Sequence, residues 1–214
     1  MKLVQACLAG VWVLSGVTLF HGTSLADDTD VIYGDDDRRD VFDPANDNRL
    51  IELAKSTAAL VRTNHLEEAA TGQFTLPNKS FAENYNLCEG EPFRDQPNPA
   101  FCSGFLVGED VLVTAGHCIQ HDTCETTSFV FDFAYTSEDT TPTDVSADNV
   151  FHCKEVLAQK YESGNSTDYA VVRLDRKATG RTPLSFRKEG TVSNGTEIVV
   201  IGHPAGLPTK IAAG

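Results

Sequence analysis

His117 is the residue of this sequence best placed to do chemistry. It closes the apolar run Val111-Leu112-Val113-Thr114-Ala115-Gly116 and is followed at once by Cys118, while Cys102 stands near the head of an earlier apolar run, Phe101 to Val107. The turn residues Gly108-Glu109-Asp110 between the two runs predict a hairpin. A hairpin puts Cys102 and Cys118 at its open end, where cross-strand Cα separations suit a disulfide. Such a bridge would fix the backbone that presents the imidazole. A neutral imidazole, ionising near ~6.5, can take a proton from a hydroxyl nucleophile and return it to a leaving amine. A carboxylate on the far ring nitrogen would set the tautomer and stabilise the imidazolium that forms.

The elements that must hold such a site read as strands. Short apolar runs recur at 101–107, 111–115, 129–135, 150–158, 169–174 and 197–201, most of them divided by turn residues such as Asn194-Gly195, and Ser56 to Arg62 reads as one more. That spacing predicts an all-β sandwich or barrel rather than alternating strands and helices. Asn46 to Lys55 is expected to be helical, with Leu50, Ile51, Leu53 and Ala54 on one side. Residues 64–99 are rich in Asn, Glu, Pro and Gly and predict a long surface connection inserted between strands.

Composition narrows the partners. The 214 residues carry a formal net charge of −14, with 41% hydrophobic and 22% charged residues. That is ordinary for a chain that buries a core, and it opposes binding to nucleic acid, whose phosphates are held by clustered Lys and Arg. Lys2, the uncharged stretch 3–20 and Ser24-Leu25-Ala26 have the layout of a secretory signal cleaved after Ala26, and the run is too short for a spanning helix. Removing it discards Cys7 and leaves Cys88, Cys102, Cys118, Cys124 and Cys153 in an oxidising compartment. The odd count leaves one cysteine free or bonded elsewhere. Cys124 with Cys153 is expected as a second pair beside neighbouring strands, which makes Cys88 the leftover. His117, Cys118, His121 and Cys124 also offer a zinc donor set, but export favours disulfides and no Cys-x₂-Cys spacing is present. His203 reads as a packing or solvent-exposed turn residue.

Two segments carry a family resemblance. Thr114-Ala115-Gly116-His117-Cys118, bracketed by Cys102, resembles the histidine motif of trypsin-like serine peptidases, and Asp168-Tyr169-Ala170-Val171-Val172-Arg173-Leu174 resembles their aspartate motif, in the family's order. Ile201-Gly202-His203-Pro204-Ala205-Gly206-Leu207-Pro208 and Val31-Ile32-Tyr33-Gly34 are similar to segments of the bacterial glutamyl endopeptidase-like branch. The resemblance implies a chymotrypsin-like double β-barrel, with His117 as general base and Asp168 as its orienting acid, cleaving proteins or peptides through an acyl-enzyme without metal or organic cofactor. It implies a secreted, extracellular or periplasmic monomer with no membrane partner after signal removal.

On this reading 1–26 is the signal and 27–45 an acidic amino-terminal segment, with a possible short prosegment to 30. The first barrel spans 46–188 with its insertion at 64–99, and 189–214 begins a second. The family's serine sits in a Gly-Asp-Ser-Gly or Gly-Asn-Ser-Gly turn, which none of the 214 residues forms. Ser103-Gly104 and Ser163-Gly164 match in composition only. The serine is therefore expected past Gly214, and the chain as given is expected to be inactive. The competing expectation is a non-catalytic homologue that kept the barrel as a binding protein.

Overall fold

The computed structural model describes residues 36–162 and 167–213. The signal segment with Cys7, residues 27–35 with the Val31-Ile32-Tyr33-Gly34 segment, Ser163-Gly164 and Gly214 lie outside them, and so do the readings placed there. The described elements are β1 (Arg38–Asp40), α1 (Asn48–Ala54), β2 (Thr57–Arg62), β3 (Glu67–Ala70), β4 (Gln73–Thr75), α2 (Phe81–Tyr85), β5 (Cys102–Leu106), β6 (Val111–Thr114), β7 (Thr127–Phe131), β8 (Asp144–Ser146), β9 (Val150–Tyr161), β10 (Asp168–Leu174), β11 (Val199–Gly202) and β12 (Lys210–Ala213).

Six of these strands close an antiparallel barrel in the order β10-β6-β5-β2-β7-β9. The period-two pattern decides which side chains point inward. Along β10, Ala170, Val172 and Leu174 are buried while Val171 and Arg173 between them are less so, and along β6 Leu112 and Thr114 are the inward pair. They meet Ala58, Leu60, Leu106, Phe129, Phe131 and Phe151 in one core. Burying each large apolar side chain contributes about 1.5–3 kcal/mol, and closure leaves the barrel without an unpaired edge. The fold is thus all-β and chymotrypsin-like, with one barrel well formed.

Two smaller sheets flank it, β1-β12-β11 and β3-β4-β8. The first joins the ends of the described chain, with Arg39 opposite Ile211 and Ile201 opposite Ile211 on the other side. Lys210 locks this sheet. Its buried ammonium donates to Asp40 Oδ1 and to Gln96 Oε1 at 2.7 Å and lies 4.6 Å over the Phe93 ring.

The structure departs from the sequence expectation in places with identifiable causes. The strand expected at 129–135 runs from Thr127 to Phe131, because Asp132 takes a positive φ of 57° and turns the chain. The helix expected from Asn46 begins at Asn48, since Asp47 caps it by accepting the Leu50 N–H at 2.8 Å. Residues 64–99 hold β3, β4 and α2, the helix opened by a capping box in which Ser80 and Glu83 bond each other's backbone N–H.

Candidate active site

The β5–β6 hairpin sets the position of His117. Gly104 pairs with Thr114 and Leu106 with Leu112, and the connection closes with Val107 N–H donating to Val111 O at 2.9 Å. At Thr114 the chain leaves the sheet, its hydroxyl donating to Ser103 O at 2.8 Å, and turns so that Cys118 N–H reaches Ala115 O at 3.1 Å. The bridge between Cys102 and Cys118, with Cα atoms 6.2 Å apart, ties the far side of this turn back to β5.

The near side of the turn is held by β9 and β10. Only the first three residues of β9 pair with β7, while its length from Cys153 to Tyr161 pairs with β10, so the two form an arm that reaches the histidine. Gly116 lies flat against that arm. A Cβ on it would collide with the Lys160 carbonyl oxygen and stand 2.8 Å from that of Tyr169, so this close approach needs glycine. Gln159 adds a bond, its Nε2 donating to Gly116 O at 3.0 Å.

Asp168 opens β10 at the tip of the arm, opposite Tyr161. Its carboxylate takes two bonds from one residue: His117 Nδ1 lies 2.7 Å from Oδ2, and the His117 backbone N–H donates to Oδ1 at 3.0 Å. The ring bond from His117 is the main cause that holds the Asp168 carboxyl below the usual carboxylate range. Partial desolvation opposes it, and the backbone N–H groups of His117 and Gly116 add to it. With Nδ1–H directed at an ionised carboxylate, the neutral ring keeps its lone pair on Nε2. The His117 side chain is 54% exposed. Its Nε2 faces Cys118 Sγ at 3.4 Å and Cys102 Sγ at 4.0 Å, and the Tyr161 ring stands edge-on with centroids 5.9 Å apart. The dyad can therefore accept a proton at Nε2 and hold the resulting cation against Asp168.

The other candidate residues fall elsewhere. Cys124 bridges Cys153, with Cα atoms 5.2 Å apart. Cys118 and Cys124 thus serve different disulfides, and neither thiol is left for the zinc set with His117 and His121. No described cysteine is free, so the free form allowed for Cys88 does not occur. His203 is buried, its ring stacked on Phe133 at 5.8 Å and its Nδ1 3.0 Å from Leu207 O. Burial pushes its pKa down to about 4, so it packs as a neutral ring. The Ser103 hydroxyl accepts the His203 N–H at 2.8 Å. Gln159 and Tyr161 were not legible beforehand: both act across the barrel, and neither belongs to a local motif.

Comparison with known proteins agrees with this geometry. Residues 102–214 match the family model of the trypsin-like peptidase domain. No curated protein sequence matches the chain. Among solved structures, a Glu endopeptidase in complex with MPD is 16% identical, with a TM-score of 0.49 over 86% of this chain and 70% of its own. The Vibrio cholerae VesB protease is 14% identical, with a TM-score of 0.40 over 74% of this chain and 40% of its own. The model match spans the hairpin, both bridges, His117 and Asp168, more than half of the sequence, and by it the chain belongs to the trypsin-like peptidase family.

Proposed function

We propose that this chain carries the general base and the orienting acid of a secreted serine endopeptidase. His117 takes the proton of a serine hydroxyl through Nε2 as that oxygen attacks a peptide carbonyl, then returns it to the leaving amine. Asp168 keeps the ring in the required tautomer and stabilises the imidazolium, a role whose loss costs on the order of 10⁴ in turnover in the chymotrypsin template. The observation that carries the reading is the doubly held Asp168, with ring and backbone of His117 on its two oxygens at 2.7 and 3.0 Å.

Among the described residues, Nε2 meets the bridge sulfurs and no serine hydroxyl. The proposal therefore assigns the nucleophile and oxyanion donors to sequence beyond Gly214, in a second barrel begun near residue 189, and makes the 214-residue chain inactive alone. The sequence features that support export are the leader segment of residues 1–26 and the disulfides; no described helix is long and apolar enough to cross a membrane. The Ile201 to Pro208 segment supports the glutamyl endopeptidase-like branch. Protein or peptide substrates, a monomer and no nucleic-acid partner complete the reading.

The test is peptide hydrolysis by this chain and by its form extended through the natural coding sequence. The extended protein should hydrolyse peptides, sensitive to a serine-directed inhibitor, and His117→Ala should remove that activity, while the 214-residue chain stays at the buffer rate. Inhibitor-sensitive hydrolysis by the short chain, or an extended protein indifferent to His117→Ala, would overturn the assignment.

A further inference from the structure

The geometry points to a second use of His117: when the Cys102–Cys118 bridge is reduced, Cys102, Cys118 and His117 form a three-ligand site for a thiophilic divalent metal of the zinc type. The three donor atoms lie within 4.8 Å of one another. Zinc bonds of about 2.3 Å to sulfur and 2.0–2.1 Å to nitrogen at a tetrahedral angle put sulfur and nitrogen about 3.6 Å apart. His117 Nε2 stands 3.4 Å from Cys118 Sγ and 4.0 Å from Cys102 Sγ, on either side of that value.

The nitrogen that faces the sulfurs is also the right one. Nδ1 is turned to Asp168 at 2.7 Å, so the lone pair sits on Nε2, and a carboxylate behind a histidine is the outer arrangement that orients metal-bound imidazoles and raises their basicity. The turn is held independently of the bridge by Gln159 on Gly116 O and by the His117 backbone bond to Asp168. Opening the disulfide therefore does not remove the histidine from its place. The half-exposed ring leaves a fourth position open to water, which three protein ligands require of a tetrahedral ion.

The chemistry balances with a thiol reductant and a metal ion. Two reductant thiols are oxidised to a disulfide while the Cys102–Cys118 bond breaks and each sulfur gains a proton. The divalent ion then binds two thiolates and the neutral ring, releasing both protons to solvent. Nothing in this site depends on the peptidase reading. Its consequence does: a lone pair held by metal cannot accept a proton from a nucleophile, so reduction in the presence of zinc would silence the base.

The test is titration of the reduced full chain with cobalt(II), anaerobically, followed by displacement with zinc. One cobalt per chain should bind with thiolate charge-transfer and tetrahedral d–d bands, and the oxidised chain should show neither. Asp168→Ala should weaken binding by roughly 10–100-fold as the loss of an outer-shell partner, and His117→Gln by more. The Cys102→Ser, Cys118→Ser double variant should lose the thiolate bands, while the Cys124→Ser, Cys153→Ser double variant should keep them. Circular dichroism on the same samples reports the fold. If reduction loosens the barrel, cobalt binding that still requires His117 supports the site. Thiolate bands of equal strength without His117, or bands that follow Cys124 and Cys153, would overturn it. These spectra are indifferent to peptide hydrolysis, so failure here and failure of the peptidase reading are separate results.

Discussion

The closed barrel and the β1-β12-β11 sheet solve the same problem to different degrees. On β2 of the barrel, Ala58 to Val61 are fully buried, whereas Val199 and Val200 on β11 are 43% and 63% exposed and Ile198 just before them is 64% exposed. Barrel strands have a partner on each side; β11 has only β12. The sheet takes its order from the barrel instead, through the Ser103 hydroxyl on the His203 N–H and the Thr209 N–H donating to Phe133 O at 2.8 Å. The dyad stands on the finished side. A base that must be held to a fraction of an ångström is placed on strands whose packing leaves them no alternative arrangement.

If that contrast is real, truncation should be costly on one side and almost free on the other. Phe129→Ala, at a fully buried barrel position, should lower stability by about 3–5 kcal/mol. Val200→Ala should stay within about 0.5 kcal/mol, as exposed substitutions do. Denaturant unfolding of both variants measures it, and a comparable loss at Val200 would mean that β11 is packed as tightly as the barrel.

The lock on the small sheet gives the next effect. Asp40→Asn leaves the Lys210 ammonium buried without its counter-charge, which should cost about 3 kcal/mol, the low end for a broken buried pair. Hydrogen exchange should place that loss at the amides of β1 and β12 and leave β6 and β10 unchanged. Burial pushes the Lys210 pKa down to about 8, against the pull of Asp40. The unfolded chain, with its lysine at 10.5, therefore binds more protons than the folded one between pH 8 and 10.5, and this group makes the fold gain stability as pH rises through that window. Lys210→Met should abolish the gain, which melting curves from pH 7 to 10 would register.

The two regions also differed in how much of them could be read from sequence. The barrel strands announce themselves because Val111 to Thr114 and Asp168 to Leu174 alternate long enough for a period of two to be counted, and the hairpin, the order of His117 and Asp168, and the cysteines beside them follow from local motifs. Arg38-Arg39-Asp40 carries no such pattern. It is a strand only because β12 lies beside it and Lys210 reaches Asp40. The strands in 64–99 are three or four residues long, too short for periodicity to register, although Ser80 and Glu83 spell a capping box. Gln159 could not be found at all, since its partner is 43 residues away and the alignment of β9 on the histidine turn depends on the β-bulges opposite β10.

Gly116 sharpens the comparison within the finished region. Gly116→Ala puts a methyl group against two backbone carbonyls, those of Lys160 and Tyr169, which cannot swing aside as a side chain could. The arm and the turn must separate, at a cost of about 1–3 kcal/mol typical of overpacking. The functional readout matters more than the stability. As the His117 bonds to Asp168 loosen, the Asp168 carboxyl should climb back toward its ordinary range, visible by carbon NMR through an acid titration. An alanine variant with an unchanged Asp168 titration would show that the glycine serves packing alone.

Gln159→Ala is the mildest of these changes and the most specific. It removes one side-chain bond to the Gly116 carbonyl at 3.0 Å and adds no bulk, so the expected loss is about 1 kcal/mol. Because the bond pins the residue next to His117, the same small loss should shift the His117 ring nitrogens in the NMR spectrum while leaving the barrel amides of β2 and β7 in place. Gln159→Glu offers an acceptor where a donor is needed and should behave no better than alanine. Gln159→Lys keeps a donor on a longer stem and should recover part of the wild-type spectrum. If all three variants leave the ring signals unmoved, the disulfide and Gly116 position the histidine without help from β9, and the arm's role reduces to presenting Asp168.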